Sequence, residues 1–186
     1  MREYIRIVKI WFLISCATGI AYPLLITGIA QILMQERAQG GILLNKGQPI
    51  GALLIAQQFE RTDYFWGRPS SIKYHPLPSG GSNLSPTSEK LQQIVREHIQ
   101  KLALAHGTSA AEVPSELVFT SGSGLDPHIS VKAAQFQLKR VAQSRGIEED
   151  KVLQLIDSLK SHGLFQDAYI NVLQLNHALD QLVLGS

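Results

Sequence analysis

The longest apolar run of the chain lies near its N-terminus. No charged residue occurs between Ile10 and Gln35. Because a helix of about 20 apolar residues crosses the roughly 30 Å hydrocarbon core of a bilayer, residues 10–34 are predicted to form a transmembrane helix. The alternative is a leader cleaved at the lipoprotein-like stretch LISC (13–16), but only about six apolar residues precede Cys16, fewer than a signal core needs. A retained anchor is therefore predicted.

Charges on either side of the run predict its orientation. Three basic residues precede it: Arg2, Arg6 and Lys9. Behind the run, Arg37 is balanced by Glu36. Because basic flanks stay in the cytoplasm, residues 1–9 are predicted to be cytoplasmic and residues 36–186 exported. In a bacterium this describes a single-pass protein of the inner membrane with a periplasmic domain.

The predicted helix carries small and hydrogen-bonding residues. Ser15 and Gly19 have the small-xxx-small spacing that lets membrane helices approach closely, and Thr27 and Gln31 can form hydrogen bonds across such an interface. Our hypothesis is that these residues contact a larger membrane partner within the lipid bilayer. The alternative is that small residues are ordinary components of any membrane helix. Pro23 predicts a kink in the span.

Beyond the run, short apolar segments between turn residues predict strands. The stretch 41–59 is rich in Ile and Leu around a Lys46–Gly47–Gln48–Pro49 turn, which predicts a hairpin. Residues 115–121 and 169–175 predict two further strands. Residues 61–86 have no periodicity, and a loop of that length inside a compact domain is usually functional or part of an interface.

Three ranges have helical periodicity: 85–107, 130–146 and 152–163. Ser85 and Ser130 are the predicted N-caps of the first two, and a glycine ends each range. A short helical turn at 109–112 and another turn or two from Asn176 complete the predicted elements. Helices and strands are interspersed without a regular βαβ repeat, so the predicted fold class is α+β, with one exported mixed α/β domain after the membrane helix.

The long loop contains the residue types that dominate binding hot spots. Tyr64, Trp66 and Arg68 are candidate partner contacts on this ground, and Asn83 is a further candidate near the end of the loop. The alternative for the aromatic pair Phe65 and Trp66 is burial in the core of the domain itself, since large aromatic side chains are usually mostly buried.

The distribution of charge along the chain excludes one class of function for the predicted domain. The chain is 45% hydrophobic and 17% charged, with a net charge of +2. Removing residues 1–9 leaves 17 minus 3 basic and 15 minus 1 acidic residues, 14 of each, so the predicted domain is neutral. Nucleic-acid binding requires a basic surface and is therefore excluded. The only cysteine, Cys16, lies within the apolar run, so the domain needs no disulfide.

The stretch SGSGLDPHIS (121–130) concentrates polar residues and glycine. Its candidate phosphate-binding residues are Ser121, Gly122, Ser123 and Gly124. However, a Walker loop needs a lysine after the glycines, and the dinucleotide pattern needs a third glycine where Pro127 stands. The four residues are therefore weak candidates, and no cofactor is assigned to the domain itself.

Asp126 and His128 raise two further possibilities, a hydrolase and a metal site. Ser123 lacks the G-x-S-x-G elbow of a hydrolase, and the other histidines have no metal-ligand spacing, so neither catalysis nor a metal is predicted. The favoured interpretation is a rigid turn, stiffened by Pro127 and followed by a helix that Ser130 caps. Asp126 and His128 would then contribute to a partner-facing surface.

Six stretches together resemble one known family: TGIAYPLLITGIAQ at 18–31, YFWGRPS at 64–70, SGGSNLSPT at 79–87, SGSGLDPHIS at 121–130, RVAQSRG at 140–146 and NVLQLNHALD at 171–180. In this combination and order the chain resembles the KdpC family, the C subunits of the bacterial high-affinity potassium-transporting Kdp ATPase. The resemblance covers nearly the whole chain. One departure is HGLFQDA at 162–168, where a glycine- and arginine-rich run is expected of the family.

The resemblance implies a noncatalytic accessory subunit of an ATP-driven potassium import complex, needed for assembly and activity. Its implied partners are a channel-like potassium-translocating subunit, a P-type ATPase subunit and a small F subunit. The exported domain would dock near the potassium entrance of the channel-like subunit, and the complex as a whole would handle ATP and potassium. The resemblance also implies a raised ATP affinity of the ATPase subunit. Because ATP is cytoplasmic, an exported domain would act on that affinity indirectly, as a coupling free energy.

A different function class is also compatible with the residues. An independent membrane-anchored ligand-binding protein or enzyme of the cell surface would bind or convert a ligand on its own. An accessory subunit would instead be captured together with its partner subunits.

Overall fold

The computed structural model describes residues 1–163 and 167–184. The chain divides into two compact units, Met1–Ile42 and Leu43–Ser186. The second unit mixes helices with short strands, as predicted.

The first unit is dominated by one long helix. Helix α1 (Arg2–Cys16) continues through a π-helical turn (Ala17–Ala21) into α2 (Tyr22–Leu33), and a short α3 (Gln35–Ala38) follows. The helical stretch Arg2–Leu33 has 32 residues and is long and apolar enough to cross a membrane, judged by length and composition. It covers residues 10–33 of the predicted span 10–34, ends one residue earlier and begins closer to the N-terminus.

The π-helical turn lies directly before Pro23. Here the Tyr22 amide donates to the carbonyl oxygen of Ala17, five residues earlier. Proline has no amide hydrogen to continue regular α-helical bonding, and a π-helical turn is one of the places where helices bend. The departure from α-helical geometry therefore coincides with the position at which the sequence predicts a kink.

The predicted hairpin begins at Ile42, the last residue of the first unit, and otherwise lies in the second unit. Strand β1 (Ile42–Asn45) pairs with β2 (Gln48–Ala52) in a two-stranded sheet. Lys46 and Gly47 connect them with φ angles of 49° and 80°. Positive φ at both central residues is the signature of the two-residue turns that match the twist of a hairpin, so the turn is tighter than the predicted range 46–49.

Helix α4 (Glu89–His106) begins later than predicted. Ser88, not Ser85, occupies its N-cap position. The Ser85 hydroxyl oxygen instead accepts a hydrogen bond from the Thr87 amide at 3.3 Å, in a local turn before the helix. The end of the helix is as predicted, because Gly107 follows with a φ of 62°.

The remaining helical elements of the described residues are a 3₁₀ turn (Ala110–Glu112), α5 (Ser115–Val118), α6 (Val131–Arg145), α7 (Glu149–Leu159) and α8 (Val172–Leu184). Ser130 caps α6 as predicted, since its hydroxyl oxygen accepts from the Ala133 amide at 3.0 Å. Gly146 ends the same helix with a φ of 66°. Helix α7 ends at Leu159, before the predicted Gly163.

Two strand predictions are wrong in their extent or type. Residues 115–118 form α5, because Leu117 and Val118 are both buried and an alternating strand would bury only one of them. The strand predicted over 169–175 is confined to β4 (Tyr169–Asn171), and the chain then enters α8. A strand not predicted, β3 (His128–Ser130), pairs antiparallel with β4 and places His128 opposite Asn171.

The core of the second unit is formed by α4 to α8 and the β3–β4 pair around one buried aromatic ring. Phe65 is fully buried, so the prediction of core packing is confirmed for this residue. The buried cluster to which it belongs includes residues of α6, α7 and α8: Ala133, Ala134, Val141, Val152, Ile156, Leu175 and Leu179. An irregular segment therefore supplies the largest buried side chain of a mainly helical core.

Two buried amide side chains hold this segment in place. The Asn176 amide accepts from the Phe65 backbone N–H at 2.8 Å and donates to the Phe65 carbonyl at 3.0 Å. The Gln137 amide accepts from the Trp66 N–H at 2.7 Å and donates to the Trp66 carbonyl at 3.0 Å. We call this arrangement of Gln137 and Asn176 around Phe65–Trp66 the amide clamp. It gives two buried peptide groups the partners that a strand would otherwise provide.

A cationic group packs beside the amide clamp. The Arg140 guanidinium lies 4.1 Å from the centre of the Trp66 ring and donates to the Gln137 side chain at 2.9 Å and to the Thr62 carbonyl. Its Nε also donates to Nε2 of His106 at 3.0 Å. Burial lowers the pKa of Arg140 to about 10, so the group is charged at neutral pH.

His106 is neutral in this arrangement. Its Nδ1 lies 2.8 Å from the Leu102 carbonyl oxygen and donates to it, which leaves Nε2 as the acceptor for Arg140. Desolvation by burial lowers the pKa of His106 below its usual 6.5; the Leu102 carbonyl opposes this shift and the Arg140 charge adds to it. Protonation of His106 would place a second cation against Arg140.

We expect Asn176→Leu to destabilise the protein by about 2–4 kcal/mol, because it leaves the buried N–H and C=O of Phe65 without partners. The measurement is chemical unfolding of the full chain in detergent, followed by circular dichroism. Gln174→Leu is the matched control, since Gln174 lies exposed on the same helix. Equal stabilities of the two variants would contradict the role assigned to the amide clamp.

We expect the stability of the protein to decrease as the pH falls below about 6.5. His106 takes up a proton more readily in the unfolded chain than in the folded chain. The contribution of neutral His106 to stability is therefore fully present above the pKa that His106 has in the unfolded chain, and it is lost as the pH falls below that pKa. His106→Gln should flatten the decrease in unfolding midpoint measured from about pH 7 to about pH 5. His75→Gln, at an exposed position, is the control and should keep the wild-type slope; a wild-type slope in His106→Gln would refute the assignment.

Candidate functional site

The stretch 121–130 forms hydrogen bonds with the irregular segment 61–86, which contains the Phe65–Trp66 pair held by the amide clamp. The Ser121 amide donates to the Pro69 carbonyl at 3.2 Å, and the Gly80 amide donates to the Ser123 carbonyl at 2.9 Å. The Ser79 hydroxyl donates to the same Ser123 carbonyl at 2.9 Å. Two segments without regular secondary structure therefore stabilise each other through backbone hydrogen bonds.

Gly124 lies where these segments approach most closely. Its φ is 71°, a conformation that favours glycine. A Cβ atom at this position would lie 2.6 Å from Cγ1 of Ile72 and 2.9 Å from the Gly80 carbonyl oxygen. The glycine is therefore required both by the backbone conformation and by the contact with the 69–81 segment.

Several polar groups that a phosphate would need are already used within the loop. The Gly124 amide donates to the Ser121 carbonyl at 3.2 Å, and the Leu125 amide donates to the Ser123 hydroxyl oxygen at 3.1 Å. The Asp126 amide is 3.5 Å from the hydroxyl oxygen of Ser121, a residue that is only 2% exposed. This arrangement resembles a self-contained turn more than an open phosphate cradle.

Asp126 joins the loop to Arg68. Its carboxylate accepts from the His128 amide at 3.1 Å, which closes a local turn across Pro127. The other carboxylate oxygen accepts from Nη1 of Arg68 at 3.0 Å, and Nδ1 of His128 lies 3.6 Å from the carboxylate. The His128 imidazole holds the pKa of Asp126 below its usual value, and the His128 amide and Arg68 act in the same direction against partial burial.

Strand β3 extends this group of charges. The Ser130 amide and hydroxyl both donate to the carboxylate of Glu116, the amide at 3.0 Å. The His128 ring packs edge-on against Tyr169 of β4, with centres 4.9 Å apart. We call the group Arg68, Glu116, Asp126, His128 and Tyr169 the charged corner.

The charged corner lines a shallow surface cavity of about 460 Å³, to which Asp167 also contributes. Its half-buried ionic groups can form ion pairs and hydrogen bonds with a protein partner. The Ser130 and Ser123 hydroxyls are engaged by Glu116 and by the Leu125 amide, respectively. Over residues 1–163 and 167–184, no group of three or more His, Cys, Asp or Glu side chains has an arrangement suited to a metal ion.

The structure brings three of the predicted partner contacts together and separates the others. Arg68, Asp126 and His128 share the charged corner. Tyr64 points inward: its hydroxyl donates to Asp180 at 3.0 Å, and Arg145 lies over its ring at 4.6 Å.

Trp66 is half-buried beside the amide clamp, and its indole N–H donates to the Arg61 carbonyl at 2.9 Å. Asn83 is exposed in the loop with a φ of 52°.

The four membrane candidates lie along the helix of the first unit. Gly19, Thr27 and Gln31 are exposed and Ser15 is half-exposed within that unit. These surfaces are free for lipid or for a membrane partner, and their role stays a prediction.

Sequence reasoning missed the residues that organise the site. Gln137 and Asn176 are polar residues within the apolar faces of α6 and α8, and this interruption is the signal that could have identified them. Glu116 lies within the predicted strand 115–121, and a strand at this position does not indicate that Glu116 is close to Ser130. The stretch 162–168 differs from the pattern expected of the family, and its residues 164–166 lie outside the described residues. The carbonyl of Ala168, at the end of this stretch, accepts a hydrogen bond from the Val131 amide at 3.3 Å.

Comparison with known proteins gives consistent matches over nearly the whole chain. The family model described as "KdpC: K+-transporting ATPase, c chain" matches residues 4–181. Relatives named potassium-transporting ATPase KdpC subunit include one from Polaromonas naphthalenivorans, 44% identical over 93% of this chain and 91% of its own length. Another, from Methylibium petroleiphilum, is 42% identical over 97% of this chain and 98% of its own length. The resemblance read from the six motifs is thereby confirmed, and the chain belongs to the KdpC family of K+-transporting ATPase c chains.

Proposed function

We propose that this chain is a noncatalytic accessory subunit of an ATP-driven potassium import complex, anchored by its N-terminal helix and needed for assembly and activity. The observation that carries the proposal is the family match over residues 4–181. The helix Arg2–Leu33, long and apolar enough to span a membrane, is consistent with residence in such a complex. Its partners are a channel-like potassium-translocating subunit, a P-type ATPase subunit and a small F subunit.

The second unit acts in this proposal as an exported docking module near the potassium entrance of the channel-like subunit. The basic residues before the span favour a cytoplasmic N-terminus and a periplasmic domain. The charged corner suits docking because its groups are held by internal bonds and yet reach a surface cavity. Side chains that are already ordered lose less conformational entropy when a partner binds.

An effect on ATP affinity would be indirect in this proposal. The loop 121–130 uses the Gly124, Leu125 and Asp126 amides for internal hydrogen bonds, and a periplasmic domain does not meet cytoplasmic ATP. A change in the affinity of the ATPase subunit is then a coupling free energy, transmitted through the complex when the subunits associate.

We expect Arg68→Ala to lower the affinity of the subunit for its partners about tenfold, because it removes a half-buried charged group from the proposed docking surface. The measurements are capture of the partner subunits from solubilised membranes and potassium-stimulated ATPase activity of the captured complex. Arg96→Ala is the matched control, since Arg96 is exposed on α4 and does not line the cavity of the charged corner. Full capture and full activity with Arg68→Ala would show that the charged corner is not part of the docking surface.

We expect a cysteine introduced by Ser123→Cys, in a Cys16→Ala background, to react with a membrane-impermeant maleimide added outside intact spheroplasts. Ser123 is exposed in the structure, so the reagent can reach it. Ile5→Cys, in the N-terminal segment, is the control and should react only after permeabilisation. The opposite labelling pattern would reverse the proposed topology and permit direct contact with ATP.

A further inference from the structure

The hairpin that follows the candidate membrane span exposes an unusual amount of apolar surface. The exposed fractions are 53% for Ile42, 56% for Leu44, 65% for Leu54 and 40% for Ile55. Ile42 and Leu44 lie on the same face of β1, because side chains alternate along a strand. Isolated exposed apolar residues are ordinary, but here four of them occur within one hairpin and the turn that follows it. We call residues 42–55 the hairpin segment.

The charge of this region has a single sign. Between Arg37, which Glu36 balances, and Phe59, the only charged residue is the basic Lys46. Lys46 is exposed at the tip of the hairpin segment. Apolar side chains together with basic residues, without acidic ones, are the combination that binds the interface of a bilayer containing anionic lipids.

The connection to the candidate span is short. Helix α2 ends at Leu33 and β1 begins at Ile42, so residues 34–41 connect them, and α3 occupies four of these residues. Eight residues reach about 28 Å at most when fully extended, and a helical turn shortens that reach. The polar headgroup layer on each side of the hydrocarbon core is several Å thick, so the hairpin segment can reach this layer and begins no more than about 28 Å from the end of the candidate span.

The exposed side chains project from a backbone that is fixed on both sides. The Leu53 carbonyl accepts from the Asn171 side chain at 2.6 Å, and the Ala56 amide donates to the Leu125 carbonyl at 2.9 Å. These bonds hold the chain immediately before and after Leu54 and Ile55. The two apolar side chains are therefore presented by the folded domain rather than by a loose loop.

We propose that the hairpin segment lies in the headgroup layer of the bilayer, with Leu44, Leu54 and Ile55 among the lipids and Lys46 against anionic phosphates. This proposal rests on the single-pass anchoring in the proposed function. Membrane contact next to the anchor would restrict the orientation of the whole domain, because the bonds at Leu53 and Ala56 join the segment to β4 and to the loop 121–130.

The test measures the membrane contact of single spin labels on the full chain. The Cys16→Ala protein receives one labelled cysteine at Leu44, Leu54 or Ile55 and is reconstituted in vesicles of phosphatidylcholine and phosphatidylglycerol. Collision of each label with oxygen, which enriches in lipid, is compared with collision with a water-soluble nickel chelate. Leu77→Cys and Leu104→Cys are the matched controls, since both leucines are more than four-fifths exposed, at 88% and 87%.

The expected result is several-fold less collision with the nickel chelate, and more with oxygen, for the hairpin labels than for the two controls. Lys46→Glu should reduce this difference in the anionic vesicles. Nickel accessibility equal to that of the controls would overturn the proposal. Shielding of the hairpin labels from both reagents in the assembled complex would overturn it too, because it would indicate a protein partner in place of lipid.

A label at Ile26, within the candidate span, separates failure of this inference from failure of the anchor. Oxygen accessibility at Ile26 with solvent accessibility at the hairpin segment would reject the membrane contact and leave the anchor intact. Solvent accessibility at Ile26 itself would reject both. Capture of partner subunits by the labelled variants establishes that each one is folded.

Discussion

The second unit depends on burying the Phe65–Trp66 backbone without leaving its polar groups unpaired. Phe65 is fully buried in the core, so its peptide groups are withdrawn from water together with its ring. Each buried donor or acceptor without a partner would cost about 1–3 kcal/mol. Asn176 and Gln137 prevent this cost, because each side-chain amide satisfies both the N–H and the C=O of one residue. Two helices distant in sequence are thereby fixed to the same dipeptide.

The charged corner depends in turn on the amide clamp. Arg68 and Pro69 follow Trp66 directly, so their positions are set by the residues that Gln137 and Asn176 hold. Arg68 reaches Asp126 from there, and the Pro69 carbonyl accepts from the Ser121 amide. The loop 121–130 then closes on itself and leads into the helix that carries Gln137. The amide clamp, the charged corner and α6 are therefore connected to one another by a continuous series of contacts.

Local chemistry made part of this fold predictable. Gly107 and Gly146 end their helices in left-handed conformations, Ser130 caps α6, and Gly47 allows a tight hairpin turn; each needs only neighbouring residues to take effect. Residues 115–118 misled the prediction because Leu117 and Val118 suit a strand locally, whereas the core requires both to be buried on one helical turn.

The parts of the site that the sequence did not reveal involve residues distant in the chain. Arg68 and Asp126 are 58 positions apart, and Phe65 and Asn176 are 111 apart. No periodicity or spacing connects such residues, since their proximity is a result of the fold. The glycines of SGSGLDPHIS were visible as a motif, but their function as the point of contact with the 69–81 segment was visible only in three dimensions.

The same geometry explains why this stretch is similar to a nucleotide loop in composition. A phosphate cradle uses glycine so that the backbone can turn tightly and its amides can surround oxygen atoms of the ligand. Here Gly124 provides the turn, and hydroxyl oxygens of Ser123 and Ser121 take the position that ligand oxygens would take toward the amides of Leu125 and Asp126. Because the loop supplies its own acceptors for these amides, Gly124, Ser121 and Ser123 have structural roles that need no ligand. The composition of the loop therefore provides no argument for contact with ATP.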